Sequence, residues 1–379
     1  MPEQNKYDKQ HNANQQALEQ QIRRHYLKVV KSAAALSKKS QVNRNDEFFF
    51  RGNPAVNKEI NKLLTTLYDN VLSTTISGIN SEWDLAVQKN NEVAYQVYGK
   101  ALEELPRKTV TDILSNNGAA RQAFVERKIE GLGLSERVWC NTMQFKQELE
   151  LALEQGINQG ASAGRIAKDI QQYLQDPDKL FRRVRDDKGI LRLSKAAKAY
   201  HPGRGRYRSS YKNAVRLARN ETNFAYERSN HLKMQQQDFV VGMEIRVSPS
   251  HDPEDDKGGI KCIELQGKYP KEFDFTMKWH VNCKCYTIAI LKTREERDED
   301  LKRILNGEEP LPPETSKNYV GTVPKQFVDT YNANKEAWSK HSRFPMTFEK
   351  NAALIKEQEG DTQEAAIAKI NQSRITYNY

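Results

Sequence analysis

The hydrophobic period of this sequence changes once along the chain, and no other feature limits the fold as much. Between Gln16 and Leu36, residues Leu18, Ile22, Tyr26, Val29 and Val30 recur at spacings of three and four, which places them on one face of a helix. A longer run follows, with Val56, Ile60, Leu63, Leu64, Leu67, Val71, Leu72 and Ile76 keeping one face apolar. A further helical pattern covers Trp83 to Leu102. Near residue 240 the period drops to two: Met243, Ile245 and Val247 alternate, as do Tyr286, Ile288 and Ile290, the signature of strands with one buried face. The expectation is a mainly α chain with a small β-rich module (α+β), carrying long amphipathic helices and extended arms or termini.

The punctuation divides the chain further. Residues 1–15 are rich in Gln and Asn and are expected to be disordered. A helical region spans 16–134. Within it, Phe48, Phe49 and Phe50 suit a local core plug, and Pro106 with the Asn-Gly and Gly-Leu-Gly turns separates short helices. A second domain is expected over 135–291. It has a helix around Phe145–Glu154, a glycine turn, a helix capped by Ser162 and a return to helical spacing from Ser210 to Met234. Residues 292–315 are expected to form a charged helix or arm and a Pro-rich linker. In 316–379, Phe327, Tyr331, Trp338, Phe344 and Phe348 supply enough aromatic surface for docking. Hydrophobic residues make up only 37%, with a mean hydropathy of −0.84, in keeping with exposed helices and arms. No apolar run approaches the ~18 residues that span a bilayer, so no membrane partner is expected. The first residues lack the apolar stretch of a secretory leader.

The chain has four cysteines, too few for a disulfide framework, which points to a reducing compartment. Three chemically versatile residues nonetheless crowd into "HVNCKC": His280, Cys283 and Cys285. Cys262 lies eighteen residues before His280 and is the candidate fourth member, with His251 as alternate. Thiolates and imidazole suit zinc. Two cysteines one residue apart can share an ion only where the backbone turns. A packed set of thiols and a disulfide from Cys262 remain open beside the metal site, and Cys140 stands apart as a core residue.

Charge is concentrated. The net charge is +10, yet the stretch from Phe181 to Arg219 alone holds thirteen Lys or Arg against two Asp. Arg204, Arg206 and Arg208 alternate with glycines and Tyr207, and Lys212 follows. Such a segment can lie along the phosphates of double-stranded DNA without sequence specificity, with tyrosines stacking, or it can be a solvated basic loop. A catalytic reading has less to build on. His251-Asp252 with Glu254, Asp255 and Asp256 resembles a metal-hydrolase dyad only as far as an ordinary acidic turn does. Neither a phosphate-cradling loop nor a nucleophile elbow occurs.

From about Gln144 to Leu291 the chain resembles the phage Mu F-like head-morphogenesis (minor head protein) family. The resemblance rests on five motifs in order. These are "LEQGINQGASAGRIAKDI" with Gly156 and Gly160, the helix "RLARNETNFAYERS" with Arg219 and Glu221, and a strand followed by a polar excursion with His251. Then come "CIELQGKYPKEF" with Cys262, and "WHVNCKC". The chain departs from the family pattern at Asn220, where Thr is usual, and at Val281, where Pro is common. It also lacks a further cysteine in the excursion. The resemblance implies a non-enzymatic structural protein of the virion that meets the portal protein and the major capsid or scaffolding protein, first in the host cytoplasm and then in the head or procapsid. Arg219 and Glu221 are expected to be structural, each anchoring a neighbouring segment. The alternative is a metal-dependent nuclease or a phage-delivered effector that uses the His/Cys cluster.

Overall fold

The computed structural model describes residues 6–39, 48–177, 182–185, 187–193, 199–203, 205–251, 253, 256, 260–340 and 344–358. Eleven α-helices and five strands occur among them: α1 (Lys6–Leu36), α2 (Pro54–Tyr98), α3 (Arg107–Leu114), α4 (Gly118–Glu126), α5 (Leu134–Asn158), α6 (Ala163–Gln175), β1 (Arg182–Arg185), β2 (Leu191–Leu193), α7 (Ser210–Gln235), β3 (Val240–Arg246), β4 (Gly267–Tyr269), β5 (Tyr286–Leu291), α8 (Arg294–Leu305), α9 (Lys325–Lys340), α10 (Met346–Lys350) and α11 (Ala352–Gln358). The mainly α chain with a small β module is therefore what forms. No helix among the described residues is long and apolar enough to cross a membrane.

Two compact units share the chain, and neither is one continuous segment. The first comprises Met1–His11, Asn80–Arg121 and Asn223–Tyr379; the second comprises Asn12–Ile79 and Gln122–Thr222. The single domain expected over 135–291 is thus cut between Thr222 and Asn223, within α7. A periodicity argument sees α7 as one helix and cannot tell that its two halves pack in different cores.

Two other expectations need correction. Residues 6–15 are helical, with Asp8, His11 and Gln15 buried. The contacts there are polar, so an apolar-period test misses them. The runs over 56–76 and 83–98 form one 45-residue helix, about 68 Å long at 1.5 Å per residue, and residues 99–102 continue in a 3-10 helix. Gly78 does not break α2: a Cβ there would meet Thr222 Cγ2 at 2.8 Å, so the glycine admits a close helix neighbour. Of the two readings of the charged segment, the helix is the one that forms. Thr293 caps α8 in a reciprocal capping box with Glu296, and Asp300 accepts from Lys292 Nζ at 2.7 Å and from the Leu311 amide at 2.7 Å. The proline-rich stretch is thereby pinned.

In the second unit Leu18, Ile22, Tyr26, Val29 and Val30 are all buried, as are Val56, Ile60, Leu64, Leu67 and Val71. Phe48 and Phe50 fill the core while Phe49 is exposed. The Ser162 hydroxyl accepts from the Arg165 amide at 3.3 Å, as its N-cap position predicts. At the end of α5, Gly160 adopts φ +62°, and the Ala161 amide donates to Gly156 O at 2.8 Å, a Schellman turn. A Cβ on Gly156 would collide with Ile166 Cγ1, so this glycine lets α6 fold back against α5.

In the first unit β3 is central, in the order β4-β3-β5 with both pairings antiparallel. Met243 faces Tyr269, and Arg246 faces Tyr286. Its core joins Met243 and Ile245 to Tyr269, Phe273, Phe275, Trp279, Phe327 and Phe348, and includes Cys262, Cys283 and Cys285. The C-terminal aromatics do dock: Phe327 stacks on Phe348 at 4.5 Å, and Trp338 packs on Phe348 at 4.9 Å.

Candidate metal centre

The segment between β4 and β5 builds the site by turning sharply. Lys278 and Asn282 both have positive φ, 51° and 66°, a conformation that side chains other than glycine adopt at some cost. The Cys283 amide donates to His280 O at 3.2 Å. This is the turn that two cysteines one residue apart need in order to face one point. Cys283 sits in the turn and Cys285 directly precedes β5, so the ligand candidates lie before the strand rather than on it.

Cys262, Cys283 and Cys285 converge. Their sulfurs lie within 4.8 Å of one another, and all three residues are buried at 0–2% exposure. Cys262 and Cys283 are 3.7 Å apart, sulfur to sulfur. This exceeds the ~2.05 Å of a disulfide and matches the tetrahedral edge of about 3.8 Å that follows from zinc–sulfur bonds near 2.3 Å. This buried group can hold a metal ion. His280 Nε2 lies 3.0 Å from Cys262 Sγ, while its Nδ1 is 2.9 Å from the Val281 carbonyl. An Nδ1–H donated there leaves the Nε2 lone pair toward the sulfurs, the usual arrangement of a ligating imidazole.

The electrostatics favour thiolate at Cys283 alone. Burial alone would raise Cys283, but hydrogen bonds from Cys262 and Cys285, with Lys278 and His280 close by, hold its thiol well below the ordinary value. The same hydrogen bonds to Cys283 and Cys285, together with burial, push Cys262 up. In Cys285 the hydrogen bond from Cys262 is outweighed by the one to Cys283 and by burial, and the thiol rises. Two further groups hold the turn. Lys278 Nζ donates to Cys285 O at 2.6 Å and lies 3.2 Å from Glu227 Oε1, both side chains 2% exposed. Asn223 Nδ2 donates to Cys283 O. Sequence gave no signal for Glu227 or Asn223, which approach from α7.

His251, the alternate, is also brought in. Its Nε2 is 3.5 Å from Asp256 Oδ2, and Asp256 Oδ1 is 3.3 Å from His280 Nε2. Asp256 is therefore part of the constellation and not merely a member of an acidic turn. Asp252, Glu254 and Asp255 lie outside the described residues. Cys140, read as core, is half-buried on α5.

The basic segment looks different in place. Arg204 lies outside the described residues. Arg206 Nη2 donates to Asn141 at 2.6 Å and Gln144 at 3.1 Å, so it anchors its own loop. Tyr200 and Tyr211 are buried and are not available for stacking. Tyr200 donates to Glu148 at 3.1 Å, and burial pushes Glu148 up to about 8. Arg208 is half-buried, and its carbonyl accepts from Tyr173 Oη at 2.9 Å. Tyr207 is 40% exposed under the Arg216 guanidinium, 4.7 Å from ring centroid, and Lys212 is exposed. Tyr207 and Lys212 thus face solvent, while Arg216 is half-buried and donates to Gly205 O at 3.0 Å and Asn213 Oδ1 at 3.3 Å.

Glu221 accepts from Arg127 at 2.9 Å and Arg137 at 2.8 Å. It ties together Arg127, just past the end of α4, and Arg137 on α5, both in the second unit, rather than a loop or strand of the β module. Arg219 makes only a loose surface pair with Glu19 at 3.7 Å. No family model, curated protein or solved structure matches the chain.

Proposed function

We propose that the protein is a non-enzymatic structural component of the minor-head type, whose β module is closed by zinc. The carrying observation is the burial of Cys262, Cys283 and Cys285 inside the aromatic core of the first unit. A structural zinc site is closed by four protein ligands, whereas a catalytic one keeps a position open to substrate. Here Cys262, His280, Cys283 and Cys285 supply the four. A domain with so small a sheet gains folding free energy directly from such an ion.

The resemblance to head-morphogenesis proteins supplies the setting: association with a portal protein and with major capsid or scaffolding protein, and residence in a procapsid or virion. The exposed Tyr207 and Lys212 suit contact with packaged double-stranded DNA through phosphates, without base readout.

The test has two arms. Zinc should copurify, and Cys283→Ser with Cys285→Ser should abolish it and lower the melting temperature. Coexpression with a portal and a scaffolding protein should place the chain in sedimenting procapsids. Absence from those particles overturns the head assignment. Hydrolysis of DNA by the pure chain that Asp256→Asn abolishes would establish the nuclease alternative instead.

A further inference from the structure

Five donors at the turn fall into two sets that share one sulfur, and His280 adds a sixth beside Cys262 and Asp256. The sulfurs of Cys262, Cys283 and Cys285 lie within 4.8 Å of one another, and so do the donor atoms of His251, Asp256 and Cys262. One tetrahedral ion uses four donors. The surplus does not have the geometry of an outer shell. An outer-shell partner binds the imidazole nitrogen that does not ligate, and in His280 that nitrogen, Nδ1, already faces Val281 O. Asp256 instead faces Nε2 at 3.3 Å, on the side where an ion would sit. Its other oxygen faces His251 Nε2.

Charge gives an independent argument. With the three cysteines bound to zinc as thiolates, they and one carboxylate would carry four negative charges, and one divalent ion would leave two of them uncompensated. The cysteines are buried, and the Asp256, His251 and His280 side chains are only 12%, 10% and 9% exposed. Lys278 acts on the thiolates, but Glu227 matches its charge at 3.2 Å. Uncompensated charge in such a place is costly, and a second divalent cation brings the cluster to neutrality.

We propose that the module holds two zinc-class ions bridged by the Cys262 thiolate. The first takes Cys262, Cys283, Cys285 and His280. The second takes Cys262, His251 and Asp256, with solvent as its fourth ligand at the less buried edge. This rests on the zinc reading above and adds a second site to it.

The experiment counts ions. The full-length chain is saturated with zinc and desalted, and its metal content is read by elemental analysis and native mass spectrometry. Two zinc ions per chain are expected, falling to one in His251→Ala and in Asp256→Asn, with far-UV circular dichroism unchanged. Saturation of the wild type at one ion, or two ions persisting in both variants, overturns the second site and leaves the first intact. A wild type that binds none removes both.

Discussion

Asn223 donates its side-chain amide to the carbonyl of Cys283 at 3.1 Å, so helix α7 holds the turn that carries the sulfurs. Asn223 is itself fixed: its Oδ1 lies 2.9 Å from His11 Nε2, and His11 Nδ1 lies 2.6 Å from Glu82. A chain of buried polar contacts thus runs from α2 through α1 and α7 to the metal-binding turn. Loss of such outer partners typically lowers metal affinity about 10–100-fold. Asn223→Ala should weaken zinc binding by that order in competition with a chromogenic chelator. Unchanged affinity would show that the turn holds its shape without α7.

The two members of the Arg-Asn-Glu triplet should differ sharply. Glu221 is 2% exposed between Arg127 and Arg137, which are 22% and 15% exposed. Removing one partner of a buried ionic group strands the others and costs about 3–5 kcal/mol. Glu221→Ala should therefore lose that much in urea unfolding. Arg219→Ala breaks a 3.7 Å pair whose side chains are 29% and 43% exposed, and should change stability by less than about 1 kcal/mol. Equal effects would contradict the assigned roles.

Phe327 is fully buried, stacked on Phe348 and edge-on to Phe273 at 5.1 Å. Deleting such a ring leaves a cavity and costs about 3–5 kcal/mol. Phe327→Ala should lower the melting temperature by several degrees and red-shift the fluorescence of Trp279, which lies 5.9 Å from Phe327. A variant as stable as the parent would mean that the C-terminal segment does not complete this core.

Much of this was legible from residue spacing. Leu18 through Val30 and Val56 through Val71 announce their buried faces because helical burial repeats every 3.6 residues. Met243 and Ile245 announce theirs because strands alternate. The convergence of Cys262 with Cys283 and Cys285 was likewise readable from residue type and proximity. Other features were hidden because they depend on contacts remote in sequence. Asp8 and His11 are buried by polar partners more than seventy residues away, so no local pattern marks their helix as part of a core. Arg206 looked like a phosphate ligand because composition reports charge, not whether Asn141 and Gln144 already engage it. Asp256 looked like a turn acid for the same reason.

Acid should destabilise the protein through His231. Burial, partly offset by Asp274, lowers this imidazole to about 4, against about 6.5 in an unfolded chain. Between those values the unfolded state binds the extra proton, so unfolding is favoured as pH falls. The stabilisation is fully present above about pH 6.5 and is lost as pH drops through about 4, a swing of about 3 kcal/mol at most for a shift of this size. Asp274 is also lowered, to about 2: its burial is outweighed by Lys350 and the Thr276 hydrogen bond. Its contribution is lost only below about pH 4, so the two windows separate. His231→Phe should flatten the urea midpoint between pH 6.5 and 4.5 and leave the steeper loss below pH 4 in place. A variant whose midpoint falls as fast as the wild type's across the upper window would assign that acid sensitivity to another group.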